Sequence, residues 1–98
     1  MKLFDSPSSP FVRKCLVVAH EYGLVDRIER VPAAPSVVNR VPELEAANPL
    51  GKVPALQNDD GSWLFDSPVI CEYLDSLGGG SMLPAQGSAR WRVLTVQA

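Results

Sequence analysis

One α/β domain of order β-α-β-(irregular α)-β-β-α is the fold class predicted for this 98-residue chain. Three observations predict it. Two amphipathic stripes at helical spacing each open on Ser-Pro, two apolar runs flank a turn cluster in the manner of a hairpin, and a short apolar strand pattern precedes the first helix. The length supports one hydrophobic core and not two. Hydrophobic residues at 46% and charged residues at 20% place the chain among folding, globular sequences and away from disordered ones.

Lys2 to Asp5 reads as a strand, and the following SPSSP is turn-prone. From there Phe11, Cys15, Val18, Ala19 and Tyr22 recur at helical spacing, with Arg13, Lys14 and Glu21 outside the stripe. Ser9 is placed as the N-cap, Pro10 as the first helical residue, and Gly23 at the left-handed position past the end. Ile28 to Val31 reads as a second strand. Prolines at 32, 35 and 42 then restrict residues 32–47 to short, irregular helix. VPALQ and SWLFD flank Asn58, Asp59, Asp60 and Gly61, a hairpin signal in which Pro54 must start a strand or lie at an edge. Ser67 and Pro68 open the last helix of the domain with Ser67 as its cap; Val69, Ile70, Tyr73, Leu74 and Leu77 form the buried stripe, and Gly78 closes it.

Gly78, Gly79, Gly80, Pro84 and Gly87 give residues 78–88 the composition of an inter-domain linker. The expected organisation is a domain over 1–77, a linker over 78–88, and over 89–98 the start of a helical second domain, carrying Trp91, Val93 and Leu94. Nine Lys plus Arg against 11 Asp plus Glu, with no basic run, argue against a nucleic-acid partner. The longest apolar run, Cys15 to Ala19, is too short to span a bilayer, and the start lacks a signal-peptide core, so a soluble, unexported protein is expected. Cys15 and Cys71 lack CxxC spacing and read as buried thiols in a reducing compartment. His20, the one histidine, falls near a helix C-terminus, where capping accounts for it.

The two Ser-Pro helix starts bear on chemistry, because a helix N-terminus offers unpaired N–H groups and about half a positive charge to an anion. Helix capping alone would also account for both serines. Taken in order, SSPFVRK, the NR at 39–40, NPLGKVPAL and FDSPVICEYLD resemble the N-terminal domain of glutathione transferases over nearly its whole length, most closely bacterial, theta-like and tau-like members. The combination of NPxGKVPAL, a hairpin and Asp-Ser at a helix start is specific. The resemblance implies a thioredoxin-like fold with a four-stranded mixed sheet.

It also implies a site. Ser9 matches the residue that contacts the glutathione sulfur. A thiol is mostly protonated at neutral pH, and each pKa unit by which it is lowered needs about 1.4 kcal/mol of preferential thiolate binding, which a hydroxyl donor and a helix terminus can supply together. Val53 is implied to precede a cis Pro54 and to pair its backbone with the cysteinyl part of glutathione. Ser67 matches the residue that holds the γ-glutamyl carboxylate, and Asp66, where Glu is the more usual residue, would face the γ-glutamyl ammonium. Lys52 and Arg40 match cationic positions facing the glycyl carboxylate. The implied activity is a cytoplasmic detoxification reaction joining glutathione, as co-substrate, to a small electrophile, without a metal and in a homodimer when full length; an isolated fragment is expected to be poorly active. A glutaredoxin-like thiol-disulfide oxidoreductase is the first alternative, but it needs a cysteine at position 9. A non-catalytic interaction module on the same fold is the second.

Overall fold

A computed structural model of the chain describes residues 1–6, 9–32, 46–48, 52–80 and 86–97. Strand β1 (Lys2–Asp5) lies inside a four-stranded sheet of order β2-β1-β3-β4, formed with β2 (Glu29–Pro32), β3 (Ala55–Gln57) and β4 (Trp63–Leu64). β1 pairs parallel with β2 and antiparallel with β3, and β3 pairs antiparallel with β4, so the sheet is mixed as expected. Period-2 alternation then divides the core. Leu3 and Leu56, opposite one another, face helices α1 (Pro10–Glu21) and α2 (Ser67–Leu77), where they meet Val12, Cys15, Ala19, Ile70, Cys71 and Leu74. Phe4 and Ala55 face the other way, against Ala47, and Phe4 stacks on Trp63 with ring centroids 5.3 Å apart.

Local chemistry sets the helix ends. Ser9 caps α1, its Oγ accepting the Val12 N–H at 3.2 Å with Pro10 behind it, and Gly23 leaves the helix at φ +66°, as expected of a residue past the C-terminus. Helix α2 differs from expectation at its N-terminus. Its N-cap is Asp66, which makes no side-chain capping bond, and Ser67 is the first helical residue. At the other end Gly78 has φ −88°, a conformation open to any residue. What requires glycine there is Tyr22: a Cβ on Gly78 would lie 2.0 Å from its ring. Tyr22 Oη in turn donates to Asp75 Oδ1, which ties the C-terminal ends of α1 and α2 together. Gly78→Ala is therefore expected to cost about 1–3 kcal/mol by overpacking and displacement of the tyrosine, read as a lower denaturant midpoint; an unchanged midpoint would show that the ring moves aside freely.

Both helical stripes sit slightly off their expected positions. Phe11, Val69 and Leu77, placed in the buried stripes by periodicity, are 58%, 45% and 39% exposed, while Val12, Cys71 and Asp75 are buried. The reason is geometric: a 3.6-residue period fixes a stripe only to within one residue at its margins, and the mutual packing of α1 and α2 chooses the centre. The hairpin forms where expected. Asn58 Oδ1 accepts the N–H groups of Asp60 and Ser62, and hydrogen bonds from Ser62, hydroxyl first and then backbone, hold the Asp60 carboxyl below its ordinary value. Of the irregular segment over residues 32–47, only Pro32, Ala46 and Ala47 fall among the described residues; Ala46 and Ala47 are helical and Ala47 is buried. Of the expected linker, Gly78–Gly80 form a turn and residues 81–85 lie outside the described ones. Helix α3 (Ser88–Gln97) begins one residue before the expected start, and its Arg90 reaches Glu72 of α2 at 3.2 Å.

One charged pair was not expected. Asp5, at the end of β1, is buried, and its Oδ2 accepts from Arg30 Nε at 2.7 Å and from Nη2 at 2.6 Å. Its Oδ1 is buried without a hydrogen-bond partner among the described residues. Removing the guanidinium would leave a desolvated carboxylate alone, although half of Arg30 is in solvent, which tempers the loss. Arg30→Ala is expected to lower unfolding stability by about 1–3 kcal/mol, with Arg30→Lys recovering part of it; equal urea midpoints for all three proteins would dismiss the pair as a support.

Candidate functional site

The sheet topology brings Ser9, Val53, Asp66 and Ser67 to one end of the domain. α1 follows the C-terminal end of β1, which puts Ser9 there. Because β3 runs antiparallel to β1, with Ala55 opposite Phe4, its N-terminal end and the preceding Val53–Pro54 lie at that same end. β4 reverses again, so its C-terminal end and the Asp66–Ser67 start of α2 arrive there as well. Ligand sites in open α/β sheets favour this location, beyond the carboxyl ends of parallel strands.

At that end lie hydroxyls, helix N-termini and a cis peptide bond. The Ser9 hydroxyl already accepts from Val12 N–H, which leaves its own proton to donate, and it sits where the α1 N–H groups concentrate positive potential. The Val53–Pro54 peptide bond is cis, as the resemblance implies; the Phe65–Asp66 bond is cis too. Val53 is half-buried between the two core clusters and Pro54 is buried. Ser67 is 3% exposed at the N-terminus of α2, and its carbonyl accepts a weak bond from Cys15 Sγ at 3.9 Å, which ties the two helix starts together. Asp66 and Lys52 are exposed. Arg40 lies outside the described residues. Among the described residues, no group of three or more His, Cys, Asp or Glu side chains could hold a metal, and no helix is long and apolar enough to cross a membrane.

Three supporting residues escape sequence reasoning. Asn48 is 1% exposed, and its Nδ2 donates to the Lys52 carbonyl at 3.0 Å, bracing the loop that delivers Val53. Its signal was the Asn-Pro at the head of NPLGKVPAL, where a side-chain amide often replaces missing backbone bonds. The Asp5–Arg30 pair fixes the last residue of β1 just before the Ser9 turn, whose Ser9 N–H closes on the Ser6 carbonyl at 3.0 Å. No local pattern announces a contact between residues 25 positions apart.

Comparison with known proteins agrees with this geometry. The chain is 38% identical over 100 residues to the GST-like protein YibF of Escherichia coli K12, covering all of this chain and 47% of that protein. It is 36% identical over 92 residues to glutathione S-transferase 3 of Zea mays, covering 91% of this chain and 40% of that one. Among solved structures, a glutathione transferase family member from Pseudomonas fluorescens Pf-5 with bound glutathione superposes with a TM-score of 0.91 at 46% identity, over 97% of this chain and 47% of that chain. This chain thus spans less than half the length of each of these relatives. Residues 8–77, the stretch from the Ser9 turn to the end of α2, match the family model described as the glutathione S-transferase N-terminal domain, and the chain belongs to that family.

Proposed function

We propose that this domain binds glutathione at the shared sheet end and holds its sulfur as a thiolate for attack on a small electrophile. The observation that carries the reading is the convergence of Ser9, the Val53–Pro54 cis bond and the buried Ser67 on one end of the sheet. Ser9 donates its hydroxyl proton to the sulfur, and the α1 terminus adds favourable potential. The Val53 backbone pairs with the cysteinyl unit as an added strand would. Ser67 and the α2 N–H groups receive the γ-glutamyl carboxylate, Asp66 faces its ammonium, and Lys52 and Arg40 face the glycyl carboxylate. The thiolate then forms a carbon–sulfur bond, by addition or with departure of a leaving group.

Glutathione bound to the Pseudomonas fluorescens relative supports the ligand. The glutaredoxin-like alternative is disfavoured because position 9 is Ser and Cys15 is buried within α1. The same reading takes 1–77 as the glutathione domain, 78–88 as a linker and 89–98 as the start of a helical domain that walls the electrophile pocket. It further takes the whole protein to be a cytoplasmic homodimer acting in detoxification, with little activity in the separate N-terminal domain. Titration calorimetry of the protein with glutathione and with S-methylglutathione tests it. Binding of glutathione with ultraviolet absorbance of a thiolate, and weaker binding of the methylated form, is the expected result; heat from neither ligand would overturn the site and leave the non-catalytic module standing.

A further inference from the structure

Cys15 and Cys71 have no part in the glutathione reading, yet the fold places them together. Cys71 Sγ donates to Cys15 Sγ at 3.9 Å, and Cys15 Sγ donates to the Ser67 carbonyl at 3.9 Å. One belongs to α1 and the other to α2, so the pair spans the junction between the two helices, in the same core cluster. Both are free thiols. A disulfide has an S–S length of about 2.05 Å, so closure asks the sulfurs to approach by roughly 2 Å.

We propose that Cys15 and Cys71 form an oxidisable dithiol that a small hydroperoxide converts into an intradomain disulfide, stapling α1 to α2 behind Ser67. Cys71, 8% exposed against 1% for Cys15, is reached first. Its thiolate attacks the peroxide oxygen, the O–O bond breaks, and an alcohol leaves with the thiol's proton, giving a sulfenic acid. The Cys15 sulfur then attacks the Cys71 sulfur; the S–O bond breaks, and the departing hydroxide takes the Cys15 proton as water. The sum is two thiols and one hydroperoxide giving one disulfide, one alcohol and one water, with two electrons passing from the sulfurs to the peroxide. Hydrogen bonding with Cys71 and burial push the Cys15 thiol up, so Cys15 enters the second step as a thiol and gives up its proton to the departing hydroxide as the S–S bond forms. Closing the bond also removes the Cys15 proton from the Ser67 carbonyl, so the oxidation state is felt at the first residue of α2.

The experiment treats the native full chain with tert-butyl hydroperoxide and reads intact mass, alkylation under denaturing conditions, and a peptide map. The expected product has lost two hydrogens, has no alkylatable thiol, yields one cross-linked Cys15–Cys71 peptide pair, forms at a rate independent of protein concentration, and reverts with dithiothreitol. In Cys15→Ala, dimedone should trap a sulfenic acid on Cys71, whereas Cys71→Ala should give no adduct on Cys15. Addition of oxygen without a cross-link, disulfides between molecules, or two thiols still alkylated would overturn the proposal. The mapping on the parent protein decides the matter even where a variant fails to fold.

Discussion

If the proposed glutathione chemistry holds, replacing Ser9 with alanine in the whole protein is expected to lower kcat about 100- to 1000-fold, the range seen when one preorganised donor to a developing or resident anion is removed. Glutathione affinity should change much less. In the proposed binding mode the hydroxyl's proton acts on the charge state of the sulfur, while the tripeptide's carboxylates and backbone are held by other groups, so the loss should fall on turnover and on the pH profile. With the donor gone, the bound thiol should ionise at higher pH, and activity should recover as pH rises. The same substitution removes the cap that accepts the Val12 N–H, at about 1 kcal/mol of stability, a cost too small to account for the kinetic effect. Turnover equal to the parent, with an unmoved pH profile, would remove Ser9 from the chemistry.

Ser67→Ala is expected to weaken glutathione binding by tenfold or more, because a charge-assisted hydrogen bond to the γ-glutamyl carboxylate contributes about 1.5–3 kcal/mol. The structure makes alanine the discriminating substitution. Had Ser67 been the cap, its loss would destabilise the helix and blur the result, and glycine would be the cleaner replacement. Since Asp66 holds the cap and Ser67 is already helical, alanine leaves the start of α2 intact and is the best residue for a helical position. Stability should stay near the parent's while affinity falls. A variant that binds glutathione as tightly as the parent would mean that the γ-glutamyl group is not received at α2.

What was legible in the sequence divides by the reach of each interaction. Ser9 as a cap, Pro10 behind it and Gly23 beyond the helix are decided within a few residues of chain, and each stands where its local chemistry puts it. The hairpin is equally local. Asp66-Ser67-Pro68 offers two capping residues in succession, and which of them caps depends on how the chain leaves β4, a matter the local pattern leaves open. Gly78 was legible as the end of the helix, but not that its small size serves the Tyr22 ring that packs on it from the end of α1. Asn48 beneath the Lys52 carbonyl, the Arg30 clamp on Asp5 and the approach of Cys71 to Cys15 lie further still from local reading. They exist only once β1, β3 and both helices are assembled, so no periodicity or cap signal encodes them. The groups that brace Ser9, Val53 and Ser67 were therefore not readable from the sequence.

The outer strands of the sheet bear on how copies of this domain can meet. β2 carries exposed Glu29, Arg30 and Pro32, and β4 has only two residues. A charged strand ending in a residue without an N–H, and a strand too short to template a partner, both resist lateral pairing with another backbone. Growth of the sheet from one molecule into the next is thereby discouraged at both margins. Exposed apolar surface lies instead on side chains of the helices, Phe11 and Val17 of α1 and Val69 of α2, where contact with another molecule would not extend the backbone hydrogen bonding of the sheet.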